Sequence, residues 1–216
     1  MKKKIIFAVP KGRILEDLIP MIQSVGIRPE KEFFEDNSRK LIFKTNLENF
    51  EIIRVRSFDV ATFIALGAAH IGVAGDDVLN EFNYDEICSV LDLNIGKCRL
   101  VLAKKKHQKI FEENNFGNIK VATKYKNTVT NFFANKGVRA ECIKLNGAVE
   151  IASNLGICSY IVDLVSTGRT LSENELVEQE TLFNITSKLI VNKIALKVMN
   201  PDLEKFIKKF QERING

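Results

Sequence analysis

The chain has 216 residues, 45% of them hydrophobic, with 32 basic and 27 acidic side chains for a net charge of +5. That length and apolar content can bury one large core or two small ones. The mild positive excess favours anionic ligands but lacks the clustered, aromatic-interleaved basic surface of a nucleic-acid binder. Lys2-Lys3-Lys4 and Lys104-Lys105-Lys106 are short runs that read as solvated charge at strand ends. No stretch approaches the roughly 20 apolar residues of a membrane span, and Ile5-Ile6-Phe7-Ala8-Val9 is too short for a signal-peptide core. Cys88, Cys98, Cys142 and Cys158 are widely spaced and form no C-x-x-C pair, while His70 and His107 stand apart. Neither a disulfide framework nor a protein-held zinc is expected, and the cysteines read as small packing residues. A cytoplasmic location follows as an expectation.

Short apolar runs alternate with helical patterns along the chain. Lys4 to Val9 reads as a strand, after which Ile14, Leu15, Leu18, Ile19 and Ile22 recur at helical spacing, with a kink expected at Pro20. Ile52 to Val55 and Ile71 to Ala74 read as strands flanking a helix from Ser57 to Leu66, which is α/β wiring. Further strands are expected at Ile87 to Leu91, Arg99 to Ala103, Ile119 to Ala122, Val138 to Ile143 and Tyr160 to Leu164. Helices are expected to start near His107, Tyr125 and Gly147. Asn200-Pro201 supplies an N-cap and a first-turn proline for a last helix whose Leu203, Phe206, Ile207 and Phe210 form one apolar docking stripe. No repeat or low-complexity linker marks a domain boundary.

The most informative stretch is Asp163-Leu164-Val165-Ser166-Thr167-Gly168-Arg169-Thr170-Leu171. Tyr160-Ile161-Val162 reads as a buried strand, so Asp163 emerges at a carboxyl edge, where open α/β sheets place ligands. Gly168 permits the positive φ or close approach that a phosphate nest needs, and Ser166, Thr167 and Thr170 offer short donors. The order suits a phosphorylated ribose: hydroxyls and N–H groups for the phosphate, a carboxylate for the sugar. A Ser/Thr capping turn that binds nothing has the same local pattern.

Around this loop, Ala122-Thr123-Lys124-Tyr125 and Leu145-Asn146-Gly147-Ala148-Val149-Glu150 extend the pattern. Pro10-Lys11-Gly12-Arg13-Ile14-Leu15, Arg54 to Val60, Leu66 to Gly75 and Lys97-Cys98-Arg99-Leu100 add to it in the N-terminal half. In order and spacing these segments closely resemble the ATP phosphoribosyltransferases of histidine biosynthesis, over almost the whole chain.

The resemblance implies an α/β fold of two lobes like a type II periplasmic binding protein, with the active site in the interlobe cleft. Transferred here, residues 1–90 with 180–216 form one lobe, and 91–179 the other. The implied reaction is attack of adenine N1 of ATP on the anomeric carbon of phosphoribosyl pyrophosphate. It yields N1-(5-phosphoribosyl)-ATP and pyrophosphate through a transition state with oxocarbenium character. Mg²⁺ is expected on the pyrophosphate and not in a protein cage. Glu150, Asp163, Ser166, Thr167, Gly168, Arg169 and Thr170 are expected to hold phosphoribosyl pyrophosphate. Lys11, Arg13 and Arg56 are expected to meet ATP phosphates. Arg54 and Arg56, two apart on a strand and so on one face, match the family's basic pair and are expected to stabilise charge in the reaction.

Three positions depart from the family: Ser159 and His70 stand where relatives commonly carry Asp, and Ala61 where they carry Pro. The chain resembles the family's short form, which implies a homodimer alone and a hetero-octamer with a regulatory subunit resembling histidyl-tRNA synthetase. Two alternatives share parts of the pattern: a non-catalytic two-lobed sensor of a small anion, and a phosphoribosyltransferase acting on a free base.

Overall fold

The computed structural model describes residues 4–35, 37–107, 118–199 and 201–215. The expected helix near His107 and the Asn200 cap lie outside the described residues. Two compact units emerge: Met1–Gly96 with Thr186–Gly216, and Lys97–Ile185.

In the first unit, β1 (Ile5–Pro10), β2 (Ile42–Lys44), β3 (Phe50–Val55), β4 (Ile71–Gly75), β5 (Ile87–Asp92) and β11 (Ser187–Asn192) form a sheet in the order β2-β3-β1-β4-β11-β5. The centre is parallel, β1 pairing with β3 and β4, whereas β11 runs antiparallel to β4 and β5. Helices α1 (Arg13–Ser24), α2 (Ser57–Ala65), α3 (Asp76–Phe82), α7 (Lys193–Val198) and α8 (Asp202–Asn215) accompany it.

Strand alternation sorts the core into two faces. Phe7 and Val9 join Leu15, Leu18 and Ile22 of α1 and Leu203, Phe206 and Phe210 of α8 on one side. Ala8, between them, joins Val60, Ala61 and Ile64 of α2 on the other. The apolar stripe of α8 therefore docks on the sheet of its own chain, with the Phe206 ring 5.4 Å from that of Phe7 in an edge-on contact. Gly72 allows the close approach of α2: a Cβ there would meet the Ala8 carbonyl oxygen and Val60 Cγ1 at 3.0 Å.

The second unit has its own sheet, in the order β10-β6-β9-β7-β8, from β6 (Cys98–Lys105), β7 (Ile119–Thr123), β8 (Ala140–Lys144), β9 (Tyr160–Val165) and β10 (Leu176–Ile185). β9 sits in the middle, parallel to β7 and antiparallel to β6. Around it stand α4 (Lys126–Asn135), α5 (Val149–Asn154) and α6 (Arg169–Glu173). Val149 and Ala152 of α5 share a buried cluster with Val101, Ala122 and Ile161. Cys158 belongs to the same cluster, and burial pushes its thiol pKa up, as befits a packing residue.

Divisions near 90 and 180 would cut β5 and β10, both continuous strands; the units instead divide beside Gly96 and Ile185. Among the described residues no helix is long and apolar enough to cross a membrane.

Candidate active site

Chain direction brings the expected segments to two sheet edges. In the second unit, β7, β8 and β9 are mutually parallel, so their carboxyl ends share one edge. That edge gives rise to Thr123–Tyr125, the 145–150 turn and the 163–170 loop. Thr123 is buried, accepts the Tyr125 N–H at 3.0 Å through Oγ1, and takes the Leu145 N–H on its carbonyl at 3.0 Å. Two of the three segments are thus tied by hydrogen bonds, and Val162 of β9 lies beside Thr123 in register.

The loop itself is built as its residue types dictate. Tyr160, Ile161 and Val162 are buried, Asp163 is half-buried, and its Oδ1 accepts the Leu164 N–H at 2.8 Å. Ser166 and Thr167 are exposed, Gly168 turns with φ +79°, and Leu171 anchors the following helix in the core. Positive φ frees a run of backbone from strand geometry, which an L side chain at this position would resist. The Arg169 side chain is exposed, and its Nε donates to Glu173 Oε1 at 2.7 Å along its own helix. Glu150 lies in the first turn of α5, half-buried, two residues after Ala148, which is in the left-handed region.

In the first unit, Pro10 and Val55 are register partners at the ends of β1 and β3, and the Lys11 N–H reaches the Val55 carbonyl at 2.9 Å. Lys11, Arg13 and Arg56 follow these ends and are exposed. Three basic residues thereby converge on one carboxyl edge, as an anionic ligand requires.

Arg54 does not join them. It is buried, its Nη1 donates to the Phe33 carbonyl at 2.8 Å, and its Nη2 reaches the Glu35 and Ser38 carbonyls at 3.5 Å. Its guanidinium also lies 5.1 Å from the Phe43 ring centroid. The expected shared face fails because β3 ends at Val55 and Arg56 already caps α2, so strand parity does not carry across. Arg54 holds the carbonyls of Phe33, Glu35 and Ser38; of the pair, Arg56 alone is exposed.

One pair near the loop escaped the sequence reading. Arg99 of β6, the register partner of Val165, donates from Nη1 to Glu178 Oε2 at 2.6 Å and from Nη2 to Glu178 Oε1 at 3.0 Å. The only prior signal was the Lys97-Cys98-Arg99-Leu100 segment. Glu178 sits on β10, whose mixed polar pattern reads as no element at all.

The two edges belong to an α/β protein, one edge carrying exposed basic residues and the other a hydroxyl-rich loop. The family model described as HisG: ATP phosphoribosyltransferase matches residues 56–216. The chain is 50% identical over 210 residues to the ATP phosphoribosyltransferase of Rhodospirillum rubrum, covering 97% of this chain and 92% of that one. It is 49% identical over 214 residues to that of Paramagnetospirillum magneticum, covering 99% and 98%. The chain belongs to the ATP phosphoribosyltransferase family, pentosyltransferases that open histidine biosynthesis.

Solved structures agree. The ATP phosphoribosyl transferase (HisG:HisZ) complex from Thermotoga maritima superposes with a TM-score of 0.83 at 30% identity, covering 98% of each chain. The periplasmic aliphatic sulphonate binding protein SsuA from Escherichia coli matches at 0.60 and 12% identity, covering 98% of this chain and 68% of that one. This second likeness is one of fold, the two-lobed type II periplasmic binding protein fold.

Proposed function

We propose that this chain transfers the phosphoribosyl group of phosphoribosyl pyrophosphate to N1 of ATP, with the second-unit edge holding the sugar phosphate and the first-unit edge holding ATP phosphates. The observation that carries the assignment is the placement of Asp163 to Thr170 at the end of β9, on the same sheet edge as the turn that leads to Glu150. In this reading N–H groups and hydroxyls of Ser166 to Thr170 take the 5-phosphate, while Asp163 and Glu150 face ribose hydroxyls. Lys11, Arg13 and Arg56 neutralise phosphate charge.

Bond formation from N1 to the anomeric carbon accompanies loss of pyrophosphate. Such a reaction gains most from alignment and from charge stabilisation on the leaving group. Mg²⁺ enters with the substrate, bound by the hard oxygens of pyrophosphate. The Thermotoga maritima relative is found with HisZ, which supports a separate regulatory subunit here too. We assign that subunit the histidyl-tRNA synthetase-like form, a hetero-octameric assembly and the response to histidine, in the cytoplasm.

The test mixes the full chain with ATP, phosphoribosyl pyrophosphate and Mg²⁺, with and without the regulatory partner. Ribosylated nucleotide is expected, and far more of it with the partner. No product in either mixture refutes the assignment.

A further inference from the structure

Glu178 places a carboxylate against the loop that the proposed function assigns to the 5-phosphate. Its Oε1 lies 3.6 Å from where a Cβ on Gly168 would stand. Taken alone, a negative charge at that position opposes a phosphate. It is not alone: Arg99 grips both carboxylate oxygens, at 2.6 and 3.0 Å, and its Nη1 also reaches Thr181 Oγ1 at 3.4 Å. Both side chains remain about one-third exposed, 38% for Arg99 and 32% for Glu178. A pair this exposed contributes little to folding stability, yet its charges act over the distance that separates Gly168 from a bound phosphate. Arg99 is fixed at its base as well, since β6 pairs it with Val165, the residue before the loop.

We propose that Arg99 and Glu178 form a charge-compensated positioning pair that sets how strongly the 166–170 loop holds the 5-phosphate of phosphoribosyl pyrophosphate. Arg99 cancels the Glu178 carboxylate beside Gly168, and Glu178 in turn keeps the guanidinium beside the loop. The pair acts through the field at the loop without contacting the reacting atoms. This inference rests on the loop being the phosphate site.

The pair makes a prediction in which the two partners differ in sign. Calorimetric titration of the full chain with Mg²⁺-phosphoribosyl pyrophosphate, ribose 5-phosphate and ATP is carried out on wild type, R99Q, E178Q, R99K and the double variant R99Q/E178Q. R99Q, which leaves Glu178 uncompensated, weakens both ribose phosphates about tenfold, the effect of one charge at a dielectric between protein surface and water. ATP affinity stays within about twofold, because its phosphates are assigned to the other sheet edge. E178Q binds ribose phosphates as tightly as wild type or tighter. The double variant returns to within about threefold of wild type, a coupling that independent sites would not give. R99K keeps the charge and most of the affinity.

A mere brace between β6 and β10 predicts otherwise: E178Q and R99K lose as much as R99Q, and the double variant shows no recovery. Either result overturns the proposal, as does equal loss of ATP binding in R99Q. Failure of the wild-type chain to bind either ribose phosphate overturns the loop assignment itself, and the inference falls with it.

Discussion

The Ile6 N–H donates to His70 Nδ1 at 2.9 Å, across the pair of strands at the centre of the first unit. Nδ1 must therefore be unprotonated, and the neutral ring carries its proton on Nε2. The His70 N–H and carbonyl extend the same seam, bonding to the Ile6 carbonyl at 2.9 Å and the Asn192 N–H at 3.0 Å. His70 thus serves the first unit as a structural acceptor, held by its ring and by its backbone.

A pH dependence follows. Burial lowers the His70 pKa from its ordinary value, so the unfolded chain takes up a proton more readily than the folded one. The stability that neutral His70 contributes is complete above the usual histidine range and is lost as pH falls through the folded value. Urea unfolding at pH 7.5 and pH 5 should show a loss of about 1 kcal/mol from this site. H70N, whose side-chain oxygen can accept from Ile6 without titrating, should flatten the difference.

Arg54 and Arg56 should separate stability from activity. R54Q leaves the carbonyls of Phe33, Glu35 and Ser38 without their cation and should cost roughly 2–4 kcal/mol in denaturant unfolding. R56Q, at an exposed position, should leave unfolding within about 0.5 kcal/mol and lower turnover at least tenfold. Equal loss of activity in R54Q protein shown to be folded would restore Arg54 to the reacting centre.

The buried strands β1, β3, β4 and β9 were legible because alternation and continuous apolar runs have a single physical cause, burial on one or both faces. The α8 stripe was legible for the same reason. Arg54 was not, because its partners are carbonyls of a segment without periodicity, and no pattern at positions 33 to 38 announces a demand for a cation. β10 was hidden by exposed Glu178 and half-buried Gln179 and Glu180, on an edge strand where ion pairs such as Lys136–Glu180 at 2.6 Å replace apolar packing. Missing β10 meant missing the Arg99–Glu178 pair beside the loop.

The loop can be tested at two points that ask different questions. D163N keeps shape and removes charge, so the fold should be unaffected while phosphoribosyl pyrophosphate use falls by tenfold or more. G168V instead forces a β-branched side chain to φ +79°, at roughly 1–2 kcal/mol of strain, and brings its Cβ to within 3.6 Å of Glu178 Oε1. Both losses should appear in the KM for phosphoribosyl pyrophosphate with the KM for ATP little changed. Kinetics unaltered in both variants would remove the loop from the site.

The last helix offers a test of how the first unit is closed. Phe206 and Phe210 pack against each other with tilted rings 5.0 Å apart and meet Phe7 edge-on at 5.4 and 6.3 Å, so α8 covers the same strand that Lys11 and Arg13 follow. Truncating a buried phenylalanine to alanine removes transfer energy and leaves a cavity, about 3–5 kcal/mol in a core that cannot collapse. F210A should approach that figure, since Phe210 is fully buried, and F206A should cost somewhat less because its ring is 6% exposed. The two rings touch, so the double variant should cost less than the sum of the singles. Denaturant unfolding of all three variants reads this directly; strict additivity would mean that the two phenylalanines anchor α8 independently.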